Sequence, residues 1–287
     1  AHGQVDYVVI NACECEPYIT ADDTLLCTYL EQVTRGSEIL LHALTPRHTV
    51  IAVEDNKQEA IRILGEALPK EGAIELRVLP TRYPQGAEKQ LIQAVTGRQV
   101  PPGKLPAAVG CAVFNAATAA AVYQAVYEGK PVTRRIVTVT GDGAAAPKNL
   151  IVRIGATFQQ TLEAAGGMSE ETQKVLSGGP MMGVAQKDLS VPVLKGTNAI
   201  LCLKGAAPQA QTPTCIRCAK CVSVCPMHLQ PLYLYRFAQA GNLRELERLH
   251  LTDCIECGSC AYSCPGQLPL VERFRRGKQQ LKEANRA

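Results

Sequence analysis

Two cysteine runs near the carboxyl end constrain this chain more than anything else in it. The first reads Thr214-Cys215-Ile216-Arg217-Cys218-Ala219-Lys220-Cys221-Val222-Ser223-Val224-Cys225-Pro226. The second reads Asp253-Cys254-Ile255-Glu256-Cys257-Gly258-Ser259-Cys260-Ala261-Tyr262-Ser263-Cys264-Pro265. Both are C-x2-C-x2-C-x3-C-P, a run whose spacing suits a cubane. Three thiolates two residues apart sit on one tight loop and reach different irons of one cluster. The fourth, three residues on and followed by proline, turns toward the cluster of the other run. The spacing therefore predicts two [4Fe–4S] clusters with crossed ligation. Cys215, Cys218, Cys221 and Cys264 are expected to hold one, and Cys254, Cys257, Cys260 and Cys225 the other. Structural zinc would use C-x2-C pairs and leave the regular third cysteine and the Cys-Pro pairs unexplained. Disulfides would need an oxidising compartment, and nothing in the chain suggests export.

At 287 residues the chain exceeds one average domain. With 46% hydrophobic and 20% charged residues it is long enough, and apolar enough, to bury real cores. Of its 13 cysteines, those outside the two runs (Cys13, Cys15, Cys27, Cys111 and Cys202) show no pairing pattern. The formal charge of +4 is no guide to partners, because ligand thiolates and two oxidised cores of roughly +2 each bring the loaded protein near neutral. With aromatics at 5% and no basic patch interleaved with them, no nucleic-acid partner is expected. No apolar stretch approaches the length of a membrane span and no signal peptide is visible, so a cytoplasmic location is expected.

Read in order, strand and helix alternate four times. Val5–Ile10 reads as a buried strand, and Asp22-Asp23 as a helix start. Leu25, Leu26, Tyr29, Leu30 and Val33, then Ile39, Leu40, Ala43 and Leu44, follow helical spacing. Strands are predicted at 49–53, 74–79 and 109–114, each followed by a helix, at 58–68, 87–95 and 116–127. This is the pattern of an α/β domain with a largely parallel sheet. Character changes at Lys130-Pro131. Two β-rich stretches, 135–140 and 149–154, flank the turn Gly141-Asp142-Gly143. A helix at 157–165 and the Gly-rich segment 175–183 follow, so the region reads as a small α+β module. Val191–Leu203 is expected to return to the first domain as a strand. Ala206–Pro213 reads as a polar linker. The spacer between the cysteine runs has helical patterning, and 271–287 reads as a basic, solvated helix. The expected boundaries are 1–130, 131–185, a return segment and linker at 186–208, and 209–287.

Three polar clusters stand at the ends of predicted strands, where open α/β sheets bind ligands. They are Asn11-Ala12-Cys13-Glu14-Cys15-Glu16-Pro17, Tyr83-Pro84-Gln85-Gly86-Ala87-Glu88 and Phe114-Asn115-Ala116-Ala117-Thr118. Each alone is as well explained by turn and cap chemistry. Together, and in this order ahead of the paired cysteine runs, they resemble the RnfC subunit of bacterial Rnf electron-transport complexes. They are also similar to the flavin-bearing, NADH-oxidising subunit of respiratory complex I. The resemblance covers essentially the whole chain.

The resemblance implies a fold of three parts: a Rossmann-like, FMN-binding α/β domain, a β-grasp module of the soluble-ligand-binding (SLBB) type, and a ferredoxin-like helical domain with two cubanes. It implies that Asn11, Cys13, Glu14 and Cys15 line the flavin ring and ribityl chain, that Tyr83, Gly86, Asn115 and Thr118 complete the FMN site, and that Glu16 and Glu88 lie on the nicotinamide side. Such a protein is an oxidoreductase with NAD(H) as substrate, its partners being the other subunits of a membrane-bound complex and, through them, ferredoxin. With no spanning segment it is expected to be peripheral on the inner face of the cell membrane. The complex I pattern has acidic and serine residues at Cys13 and Cys15, an acidic residue at Ala87, and a tandem Asn at Phe114-Asn115. The family's Gly-rich loop lies upstream of the first strand, so residues 1–287 alone are expected to bind FMN weakly and to lack NADH oxidation. Two other readings share these features: a cobalamin reductase or soluble flavin/iron–sulfur reductase, and an electron-transfer module that binds no nucleotide.

Overall fold

The computed structural model describes residues 4–69, 71–205 and 213–284. They fall into two compact units divided after Gly205. All of the expected linker Ala206–Pro213 except Pro213, and the end of the tail, 285–287, lie outside the described residues.

The first unit is built on two sheets. The first sheet is all parallel, in the order β3-β2-β1-β4. Its strands are β1 (Tyr7–Ala12), β2 (His48–Glu54), β3 (Ile74–Leu79) and β4 (Cys111–Asn115). The helices that follow are α1 (Ala21–Thr28), α2 (Leu30–Leu44), α3 (Gln58–Ala67), α4 (Glu88–Thr96) and α5 (Ala116–Tyr127). Parallel strands covered on both faces read as continuous apolar runs, and β1 shows why. Val8, Ile10 and Ala12 enter the core beneath α1, α2, α3 and α5. Val9 enters the opposite core with Val50, Ala52, Leu91 and Val95. The helical spacing from Leu25 to Leu44 is interrupted at Tyr29 (φ −126°, ψ 39°), so two helices form instead of one.

The second sheet is mixed, in the order β6-β5-β9-β7-β8. It comprises β5 (Arg134–Thr140), β6 (Lys148–Arg153), β7 (Lys174–Ser177), β8 (Val184–Gln186) and β9 (Ala199–Leu203). Its helix α6 (Phe158–Ala164) starts with a capping box, in which Gln160 N–H donates to Thr157 Oγ1 and Thr157 N–H to Gln160 Oε1. The expectation that Val191–Leu203 returns to the first domain is corrected here. β9 runs parallel to β5 and antiparallel to β7. Ile200 and Cys202 fill the core under Phe158 and Leu162. The module's sheet therefore draws a strand from beyond residue 185, since β9 lies between β5 and β7. A polar seam joins the two halves of this unit. Asn149 Nδ2 donates to Thr20 Oγ1 at 2.9 Å and to Thr24 Oγ1 at 2.6 Å, and Thr138 Oγ1 donates to Asn149 Oδ1 at 2.7 Å.

The second unit is helical: α7 (Lys220–Ser223), α8 (Pro231–Gln239), α9 (Leu243–Arg248), α10 (Ser259–Tyr262) and α11 (Leu270–Ala284). Leu234, Leu246, Leu251, Leu270 and Phe274, each at most 1% exposed, form its centre. The tail is therefore not a wholly solvated helix. Leu270, Phe274, Gly277 and Leu281 recur at helical spacing on one buried stripe of α11, with charge on the other faces. No helix among the described residues is long and apolar enough to cross a membrane.

Candidate functional site

The two cysteine runs fold as copies of one another, 39 residues apart. α7 and α10 occupy corresponding positions. Left-handed backbone recurs in register: Arg217 and Glu256 (φ 57° and 56°), Ala219 and Gly258 (60° and 82°), His228 and Gln267 (52° and 49°). Such alternations of handedness point successive backbone N–H groups into one concavity, a shape suited to an anionic group. Each loop wraps a cavity. One is walled by Cys215, Cys218, Cys221 and Cys264, the other by Cys225, Cys254, Cys257 and Cys260. Each fourth cysteine thus faces the cavity of the other run. The four thiols of each set stand around the walls of one cavity.

The surroundings of the cavities differ. Cys215 and Cys218 are exposed, whereas Cys257 and Cys260 are buried. Phe274, Leu234 and Val271 add walls to the second cavity. Burial pushes the Cys260 thiol up to about 12, reinforced by neighbouring sulfurs. A buried thiol cluster of this kind is held as thiolate only with a cationic core in place.

In the first unit, the strand-end residues assemble at the carboxyl edge of β1, β2 and β4. Asn11 Nδ2 donates to the Gly86 carbonyl at 2.9 Å, and Asn11 Oδ1 accepts from Cys13 N–H at 3.1 Å, tying the β1 end to the loop after β3. Asn115 caps α5 by accepting from Ala117 N–H at 2.9 Å and donates to Asp22 Oδ2 at 2.7 Å. Glu14 accepts from Asp22 N–H at 2.9 Å, at the start of α1, and faces Lys57 Nζ at 3.8 Å. Burial, then the Asp22 charge, pushes its carboxyl up to about 7 against the pull of these donors. Burial also raises Asp22, opposed by the Asn115 amide. Burial raises the Cys15 thiol to about 11, opposed chiefly by the Gly86 backbone.

The expected residues are not equally placed. Asn11, Glu14, Cys15, Gly86 and Asn115 come together. Cys13 is only 6% exposed, its Sγ 3.5 Å from the Ala52 carbonyl, inside the core beneath α4. Tyr83 is half-buried, while Glu88 and Thr118 are exposed, on the first turns of α4 and α5. Glu16 reaches the second sheet's loop, where Met181 N–H and Met182 N–H donate to it at 3.1 and 2.9 Å. A Cβ at Gly179 would lie 2.2 Å from Glu16 Oε2, so the loop can close on that carboxylate only with glycine there. Sequence reasoning missed Glu54. It ends β2 at 1% exposure, and its Oε2 has no hydrogen-bond partner among the described residues. Its signal was a carboxylate closing a buried strand at the same sheet edge.

Three family models match in succession: the Nuo51 FMN-binding domain over residues 1–124, the SLBB domain over 136–185 and the 4Fe-4S dicluster domain over 214–268. The chain is 45% identical over 279 residues to the RnfC-type subunit of the Na(+)-translocating ferredoxin:NAD(+) oxidoreductase complex of Acetobacterium woodii, covering 97% of this chain and 63% of the relative. It is 42% identical over 287 residues to the proton-translocating counterpart of Clostridium ljungdahlii, covering 99% and 62%. It is 44% identical over 285 residues to the corresponding subunit of the ion-translocating oxidoreductase complex of Pasteurella multocida, covering 99% and 34%. The chain thus spans from a third to under two thirds of the length of these relatives. Among solved structures, an NAD+-reducing [NiFe]-hydrogenase in the H2-reduced state shares the fold, with TM-score 0.60 and 19% identity over 98% of this chain and 57% of that one.

Proposed function

The chain belongs to the RnfC family of ion-translocating oxidoreductase complexes, and from that premise we propose that the whole protein carries electrons between NAD(H) and two [4Fe–4S] clusters by way of FMN. The observation that carries the reading is the pair of four-thiol cavities, each built from three cysteines of one run and the last of the other. FMN, when bound, exchanges a hydride with NAD(H) and single electrons with the clusters.

The residues of the first unit fit such a cofactor. The partnerless Glu54 Oε2 is an acceptor for an N–H or O–H that a ligand brings. Asn11, Glu14, Cys15, Gly86 and Asn115 would hold the flavin's ring and ribityl chain, with Cys13 behind them and Tyr83 and Thr118 at the margin. Glu16 and Glu88 would lie toward the nicotinamide. The chain's own part is to orient and to keep water out: the Asn11–Gly86 and Asn115–Asp22 bonds fix the polar edge before any ligand arrives. Burial and the nearby Asp22 charge raise the Glu14 carboxyl, while the Asp22 N–H and Lys57 hold it in place. The eight cysteines of the two cavities would hold the clusters. The partners would be the other subunits of a membrane-bound complex on the inner face of the cell membrane, with ferredoxin reached through them.

The test is the full-length protein purified without oxygen. About eight irons per chain, bound FMN and bleaching of the cluster absorbance by NADH are expected. A flavin-free protein whose clusters ignore NADH would reject the nucleotide half of this reading.

A further inference from the structure

The two cysteine loops share a backbone, but among the described residues an ion pair from α11 holds the second one. Glu256, between Cys254 and Cys257, receives Arg275 Nε at 2.7 Å and Lys278 Nζ at 2.7 Å on its two carboxylate oxygens. The same Lys278 ammonium donates to the Cys254 carbonyl at 2.6 Å. Arg275 and Lys278 stand on α11, whose apolar stripe, including Phe274 and Leu281, is anchored in the core. The Lys278 and Glu256 side chains are only 24% and 26% exposed, so solvent screens them less than a surface pair. At the corresponding position of the first loop stands Arg217, exposed and without an ion pair among the described residues.

A clamp that merely held the loop would need no surplus charge. Here two cations meet one carboxylate, and one of the cations also sits on the carbonyl of a ligand residue. Reduction of a cubane adds one electron and one negative charge, and local charge and hydrogen bonding set how readily it occurs. We propose that Lys278 is a positioning residue that raises the reduction potential of the cluster bound by Cys225, Cys254, Cys257 and Cys260, by fixing a positive charge at the Cys254 carbonyl. The bonds that Lys278 makes are to the second loop, at the Cys254 carbonyl and Glu256. This rests on the two-cluster reading with crossed ligands.

The experiment is a redox titration of the full-length, anaerobically purified protein followed by electron paramagnetic resonance, with the two signals assigned through Cys218→Ser and Cys257→Ser. In Lys278→Met with full iron, the second cluster's one-electron equilibrium should fall about tenfold, about 59 mV, while the first stays put. Lys278→Arg should restore most of the shift. An unmoved second cluster, or equal shifts in both, would overturn the proposal. If Lys278→Met does not hold its second cluster, Glu256→Gln decides. It removes the opposing carboxylate charge, so the second potential should rise, and no rise would overturn the proposal. Wild-type iron near four per chain would remove the two-cluster reading itself, and the proposal with it.

Discussion

The two cysteine cavities share a sequence pattern, a backbone and a ligand count, yet they are not equivalent. Around Cys215 and Cys218 the loop is exposed, and Ile216 shows 66% of its surface. Around Cys257 and Cys260 the loop is buried under Phe274, Leu234 and Val271 and clamped from α11. The corresponding residues Arg217 and Glu256 share a left-handed backbone and carry opposite charge. The motif therefore sets which sulfurs meet, while packing and charge around it set what the held group experiences. In low-dielectric surroundings a fixed charge acts more strongly than on a wet surface, so two identical clusters can be tuned apart.

Substitution can break that comparison, and the largest effect is expected from the crossed cysteines. Cys225→Ala should remove the cluster of Cys254, Cys257 and Cys260, and Cys264→Ala the cluster of the first loop. In each case iron should drop from about eight to about four per chain. Loss of the first-loop signal in Cys225→Ala and of the second-loop signal in Cys264→Ala would show that the cavities are not crossed. Next comes Phe274→Ala, which empties a 1%-exposed wall of the second cavity alone. It should destabilise this unit by about 3–5 kcal/mol, and on heating the second cluster should bleach before the first. Gly266→Ala acts on the other side. Its Cβ would lie 2.3 Å from the Thr214 carbonyl oxygen, an overpacking of about 1–3 kcal/mol that should loosen the first cavity first. Met227 fills the corresponding position of the first run, where there is room for a side chain. The smallest effect is expected from Arg275→Ala. Its side chain is 52% exposed, so thermal unfolding should report a loss under about 1 kcal/mol, with both clusters retained.

The strand-end cluster of the first unit was legible in the sequence in part. Asn11, Glu14 and Asn115 stand out because polar residues at the ends of buried strands must serve a turn, a cap or a ligand. Asn115 serves as a cap and also binds Asp22. Glu54 did not stand out, because a single carboxylate at a strand end carries no motif. Its meaning comes from burial without a partner. The Glu16 clasp on Met181 and Met182 joins residues 165 and 166 positions apart, a distance over which no local pattern speaks.

By itself the sequence determined most of the elements and which eight cysteines group together. Strand and helix follow from apolar period, and the grouping of the cysteines from the repeated spacing of the two runs. The tertiary structure alone decided that β9 inserts between β5 and β7, and that α11 lays Phe274 on one cavity and Lys278 on one loop. The physical reason is range. Dihedral preference and side-chain period act over a few residues and are written locally. Strand order, burial and the field at a buried site come from groups that meet only after the chain has closed on itself.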